Sequence, residues 1–295
     1  MRPVRRPSRT IERLDTPGGR LDLSGRTLVA GVLNVTPDSF SDGGQFDAPA
    51  AAIEQARRMV AEGADLLDVG AESTRPGSER VSAAEQIARL KPVLKTVVGL
   101  GVPVSVDTTR SDVAAVALEA GAAVLNDVSA GRDDPEMFAL AARAGVPIVL
   151  MHMLGEPKTM QREPRYDDVV AEVAAFLDQR AAAAVAAGVG ADRIVVDPGI
   201  GFGKTTRHNL ELIGRIDALL TAGRPVMVGP SRKRFIGHVL GIDEPAQRVV
   251  GTGAVVAACA LAGVQIVRVH DVAPAAQTVR MCHAIHRPAL VEPRT

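Results

Sequence analysis

A closed barrel of eight parallel strands, each followed by a helix, is the fold this 295-residue sequence predicts, and three observations carry that prediction. From Thr27 onward a short β-branched apolar run is followed by an Ala-rich amphipathic stretch, and this unit occurs eight times in one series. The runs are hydrophobic throughout instead of alternating, as expected of strands buried on both faces of a parallel sheet. The turn after the first run reads Asn34-Val35-Thr36-Pro37 and lacks the glycines that an open dinucleotide-binding sheet places there. A (β/α)8 TIM barrel needs about 250 residues, which fits within this chain.

A small hairpin is expected first, around residues 14–23, within a basic N-terminal segment spanning 1–26. The barrel proper spans 27–287, and 288–295 form a short C-terminal tail. Strands are expected at 27–35, 65–69, 102–106, 123–125, 146–151, 193–196, 225–228 and 265–269. The intervening helices fall at 48–62, 82–98, 111–120, 135–144, 166–187, 207–220, 244–262 and 273–285. The phrases EGADLLDVG, EAGAAVLNDV and RAGVPIVLM share one grammar, in which a helix ends on a Gly cap and a strand follows. No linker-like boundary interrupts the series, so one domain is expected.

Composition narrows the function classes. Lys and Arg number 34 and Asp and Glu 34, so no overall positive field exists to hold nucleic acid or an anionic membrane. Aromatic residues make up 2%, with no Trp and one Tyr, which argues against base-stacking platforms and membrane-interface belts. Cys259 and Cys282 lack a metal-type spacing, and a reduced, cytoplasmic setting is expected. No apolar run is expected to reach the roughly 18 residues of a spanning helix. Residues 1–10 are Arg- and Pro-rich with no apolar stretch behind them, which reads as a disordered tail and not a signal peptide.

In such barrels the active site gathers at the C-terminal ends of the strands, and here every end carries polar residues. NVTPDSFSDGG follows the first strand and GAESTRPG the second. The third ends in Asp107, the fourth in Asn126-Asp127 and the fifth in Met151-His152. DPGIGFGKT follows the sixth, Ser231-Arg232-Lys233 the seventh and RVHD, containing Arg268 and His270, the eighth. A purely structural barrel has no need of such a rim, although any one of these carboxylates could simply cap the next helix. The basic residues of the last two loops, with Arg75 of the second, suggest a phosphate or diphosphate site. Asp107, Asn126 and Asp197 offer acceptors and an amide suited to a flat heterocycle rich in N–H donors. The first two loops are long and rich in Gly, Ser and Thr, a composition suited to mobile lids.

From about Arg26 to Val272 the sequence resembles the dihydropteroate synthases of folate biosynthesis. The motifs GVLNVTPDSFSDGG, ESTRPG, SVDTTR, LNDVSAG, MHMLGEPKTMQ, DPGIGFGKTTRHNLELI, SRKRFIG and RVHD carry the resemblance in order. Two departures are small: Ala71 stands where a second Gly is common, and Pro230 where another small residue is usual. The resemblance implies a Mg²⁺-assisted condensation of 6-hydroxymethyl-7,8-dihydropterin diphosphate with p-aminobenzoate, by a dissociative route. It implies that Asp107, Asn126, Asp197 and Lys233 hold the pterin, with Met151 also at the substrate. It further implies that Asn34 ligates the magnesium, and that Thr74, Arg268 and His270 bind the diphosphate. Ser231, Phe202, Pro76 and the Lys233 stem would shape the p-aminobenzoate pocket, with Arg75 and Phe40 arriving on the loops. Lys233, Arg268, His270 and Arg75 are the catalytic candidates, and a homodimer is expected by analogy.

Three features are decoys. GIGFGKT falls short of a phosphate-binding P-loop because Pro198 occupies the first Gly position. The small residues of 251–263 lie inside a helical pattern and suit close packing, and His283 and His286 have no third metal ligand in view. Two other readings remain: a methyltetrahydrofolate-type methyltransferase barrel, which has no reason to keep a diphosphate set, and a catalytically silent pterin-binding paralogue.

Overall fold

The computed structural model describes residues 11–17, 19–36, 48–73, 78–156, 158–220 and 222–290. Strands β1 (Arg13–Thr16) and β2 (Gly19–Asp22) form the expected antiparallel hairpin, with Leu14 opposite Leu21. The barrel strands follow as β3 (Leu28–Asn34), β4 (Leu66–Gly70), β5 (Val104–Asp107), β6 (Val124–Asp127), β7 (Ile148–Met151), β8 (Ile194–Asp197), β9 (Met227–Val228) and β10 (Ile266–Val269). All pair in parallel in the order β8-β7-β6-β5-β4-β3-β10-β9. A bridge between Val196 and Val226 closes the ring, with the Val196 N–H donating to the Pro225 carbonyl at 2.9 Å.

The helices are α1 (Ala48–Ala61), α2 (Ala83–Val98), α3 (Ser111–Glu119), α4 (Glu136–Ala144), α5 (Val169–Ala186), α6 (Thr206–Gly214), α7 (Asp217–Leu220), α8 (Arg234–Leu240), α9 (Val249–Ala262) and α10 (Val272–His286). Their ends follow local chemistry: the Ser82 hydroxyl accepts from the Glu85 N–H to start α2, and Gly145 at φ 63° stops α4 in the left-handed region. Three expectations need correction. The helix expected over 207–220 is two, because Arg215 caps α6 with a non-helical φ of −119°. Helix α8, absent from the sequence reading, has 7 residues and is too short to show a period before Gly241 ends it. Residues Pro245–Ala262 do form an apolar stretch of 18 residues with mean hydropathy 1.3. Its first turn is a 3₁₀ segment, Pro245–Arg248, and α9 itself has 14 residues. Helix α9 buries Thr252, Val256, Cys259 and Ala260 and packs on α10, as an outer helix of the barrel does.

Strand register explains how the site is built. Paired residues on neighbouring parallel strands share a face, so one parity of each strand points into the barrel. At the N-terminal end of that parity stand Leu28, Ala30, Leu66, Val124, Val149, Val195, Met227 and Ile266, in one buried cluster with hairpin residues Leu14, Leu21 and Leu23. The hairpin therefore plugs the floor of the barrel. The opposite parity, including Val29, Leu67, Val106, Ile148 and Val267, packs outward with the helices. Continuing the inward parity toward the C-terminal ends gives Asn34, Asp68, Asp107, Asn126, Met151, Asp197 and Arg268. Polar residues thus replace apolar ones along the same rows.

Leu23 is fully buried in the plug. Leu23→Ala is expected to cost about 2–5 kcal/mol by urea denaturation, and a loss below about 1 kcal/mol would show that the plug is not integral to the fold.

Candidate active site

Arg268 is the centre of the site. Its Nε donates to Asp68 Oδ2 at 2.5 Å and its Nη2 to Asp107 Oδ2 at 2.7 Å. Asn126 Nδ2 donates to the same Asp68 oxygen at 3.0 Å. Four side chains from β4, β5, β6 and β10 thereby form one buried network. Asp68 was missed in the sequence, although a lone carboxylate in the apolar run LLDVG was the available signal. Asp68 Oδ1 and Asn126 Oδ1 are buried without a hydrogen-bond partner. Such acceptors are costly unless a ligand or water satisfies them.

Burial alone would pull the Arg268 guanidinium toward neutrality, but Asp68 and Asp107 outweigh it and hold the charge more firmly than in water. Burial raises the Asp107 carboxyl; Arg268 opposes the rise and Asp68 adds to it. Burial likewise pushes Asp197 up to about 6, against the Gly199 N–H that donates to its Oδ1 at 2.7 Å. Asp107, Asn126 and Asp197 cap no helix, so the capping alternative falls away.

The opposite wall comes from the loops after β8, β9 and β10. Lys233 Nζ lies 4.0 Å from the centroid of the Phe202 ring, a cation–π contact. Phe202 packs on an apolar floor of Val128, Met151, Met153 and Met160. The Ser231 hydroxyl accepts from the His270 N–H at 3.1 Å and lies 3.0 Å from His270 Nδ1. Between Ser231 and Lys233, Arg232 adopts a left-handed φ of 58° that is strained for a side-chain-bearing residue. Its guanidinium pairs with Asp271 at 2.9 and 2.5 Å, and its carbonyl accepts from Arg248 Nη1 at 3.0 Å. These bonds staple the two basic loops together.

A cleft of about 990 Å³ opens over this assembly, and Asn34, Asp107, Phe202, Ser231, Lys233, Arg268 and His270 line it. Asn126, Met151 and Asp197 sit on the same inward rows and are buried. Phe40, Thr74, Arg75 and Pro76 lie outside the described residues. The arrangement places hydrogen-bond acceptors at one end and fixed cations at the other, with an apolar shelf at Phe202.

The family model for pterin binding enzymes matches residues 30–270. The dihydropteroate synthase of Synechocystis is 45% identical over 267 residues, covering 90% of this chain and 92% of that protein. The chain belongs to the dihydropteroate synthase family. Two dihydropteroate synthase structures from Xanthomonas albilineans support the assignment at the level of fold. One, with 4-aminobenzoic acid, superposes with a TM-score of 0.89 at 43% identity, covering 96% of this chain and all of that one. The other, in complex with 7,8-dihydropteroate, gives 0.84 at 42% identity and covers 95% and 100%.

Removing Arg268 leaves two buried carboxylates without their countercharge. Arg268→Ala is expected to lose about 3–5 kcal/mol of stability in chemical denaturation, and adding Asp68→Asn should recover part of it. An additive double variant would show that the pair is not coupled in this way.

Proposed function

We infer that this chain condenses 6-hydroxymethyl-7,8-dihydropterin diphosphate with 4-aminobenzoate, giving 7,8-dihydropteroate and diphosphate in folate biosynthesis. The observation that carries the reading is the inward row on which acceptors Asp107, Asn126 and Asp197 adjoin the cation Arg268. Taking 4-aminobenzoate away from dihydropteroate leaves a dihydropterin with a 6-methylene, which must arrive bearing a leaving group. The cations of the last two loops suit a diphosphate in that role.

The pterin's N–H groups donate to the carboxylates and to the free Asn126 Oδ1. As the C–O bond to diphosphate breaks, its electron pair leaves with oxygen, and Arg268 and His270 stabilise the developing anion. The methylene is left cationic and delocalised into the dihydropterin ring, beside the Asp107 and Asp197 carboxyls. The neutral arylamine, held on the Phe202 shelf by Ser231 and the Lys233 stem, then attacks carbon and gives up its proton to the released diphosphate or to water. No covalent enzyme intermediate is needed, and the work is positioning and electrostatics.

Mg²⁺ fits this site as a metal carried largely by the substrate. Asn34 offers a hard amide oxygen in the cleft near Arg268 and His270, and among the described residues no three His, Cys, Asp or Glu form a cage. Mg²⁺ commonly takes most of its ligands from phosphates and water. When bound it would neutralise charge on the diphosphate. The cations Lys233 and Arg268, with the His270 imidazole beside them, also favour this reaction over the methyltransferase reading.

We further propose a homodimer in the cytoplasm. Val250 on α9 and Met281 and Ile285 on α10 are 85%, 62% and 58% exposed, and these neighbouring helices offer an apolar face for a second copy. A monomer by light scattering at micromolar concentration would contradict it. Free, buried Cys259 and Cys282 suit a reducing compartment, and recovery in a membrane or secreted fraction would contradict that location.

Purified protein given both substrates and Mg²⁺ should form dihydropteroate by mass spectrometry with equimolar diphosphate, and chelation should suppress it. His270→Ala is expected to lower kcat about 10²–10³-fold. Pterin binding without turnover would instead favour the silent paralogue. Because an ionised Asp197 accepts the pterin's N–H, pterin affinity should fall as pH drops through about 6. Calorimetry showing no such step, or the same step in Asp197→Asn, would remove Asp197 from that role.

A further inference from the structure

Lys204 belongs to the GIGFGKT run that mimics a P-loop, yet its side chain turns inward and is buried. Its Nζ donates to the Gly199 and Phe202 carbonyls, both at 3.0 Å, and lies 2.9 Å from His152 Nδ1. Burial pulls the Lys204 amine down to about 7, against the attraction of Asp197, and its N–H groups are spent on this cage, the His152 carbonyl at 3.5 Å included, with none aimed at a phosphate. Burial keeps the His152 imidazole neutral by pushing it down to about 3, so Nδ1 is free to accept. The His152 ring in turn stands edge-on to Phe176 of α5 with centroids 4.8 Å apart.

This lysine anchors a turn with no room to move. A Cβ at Gly199, where φ is +64°, would sit 1.9 Å from the His152 carbonyl oxygen, so the turn presses directly on the end of β7. Gly201 N–H donates to Asn209 Oδ1 at 2.7 Å, and the Gly201 carbonyl accepts from Gln161 Nε2 at 2.6 Å. Phe202, whose carbonyl Lys204 holds, carries the ring that meets Lys233 at 4.0 Å. The turn begins at Asp197, the proposed pterin acceptor, so one buried lysine braces the end of β8 and the Phe202 turn together.

We propose that Lys204 is a positioning residue for the arylamine: by tying the Gly199 and Phe202 carbonyls to His152, it sets the height of the Phe202 ring on which the arylamine packs. This rests on the synthase reading and extends it to a lysine whose amine is bonded to the very turn it holds.

The test is a double-mutant cycle of Lys204→Met with Phe202→Ala, read by steady-state kinetics. Lys204→Met alone is expected to raise the KM for 4-aminobenzoate about tenfold with kcat held within about threefold. In the Phe202→Ala background the same change should add less than about twofold, because the ring it positions is gone. Losses that multiply across the cycle, or fall on kcat alone, would overturn the proposal and leave Lys204 a structural residue. Should Lys204→Met not fold, His152→Leu removes one anchor while keeping the lysine, and the same non-additivity is required of it. A wild-type enzyme that turns over normally while the cycle is additive refutes only the positioning claim. A wild-type protein that forms no product refutes the synthase reading and this proposal with it.

Discussion

A guanidinium held inside a barrel between two carboxylates is the constraint on which the site depends. Arg268 cannot be buried alone, since the desolvation of an unpaired charge costs several kcal/mol, and neither can Asp68 and Asp107. Each requires the others, and they come from β10, β4 and β5, so the pairing ties the wall of the barrel together from within. The same pairing leaves Asp68 Oδ1 and Asn126 Oδ1 without partners. The network is complete as a charge balance and leaves two acceptors open toward the cleft side for a donor to satisfy.

The strain at Arg232 belongs to the same economy of fixed parts. A left-handed arginine persists because its carbonyl, its N–H and its guanidinium are each held, by Arg248, Thr252 and Asp271. Ser231 and Lys233 project from either side of that kink. The basic groups therefore reach the cleft from a backbone already set, which is the condition under which electrostatic stabilisation costs no reorganisation.

Much of this was legible in the sequence for identifiable reasons. Continuous β-branched runs and Gly-ended helices specify a parallel barrel, and barrel topology sends strand ends to one mouth, so Asp107, Asn126, Asp197, Lys233, Arg268 and His270 could be grouped without coordinates. Asp68 escaped because it lies within a strand, where only register reveals which way it faces. Lys204 escaped because its neighbours imitate a phosphate loop, and its burial follows from the packing of two distant turns. Helix α8 escaped because its 7 residues, about two turns, are too few to show a period. The residues expected on the first two loops, Phe40, Thr74, Arg75 and Pro76, fall outside what the structure describes.

The hairpin at the barrel floor has a consequence for traffic. With Leu14, Leu21 and Leu23 sealing the far end, the interior is a blind well with one door. Whatever seats against Asp197 and Asn126 shares the mouth with the Phe202 shelf. A molecule resting on that shelf crowds the mouth, and a released anion leaves by the way it came, since the hairpin fills the floor among the described residues.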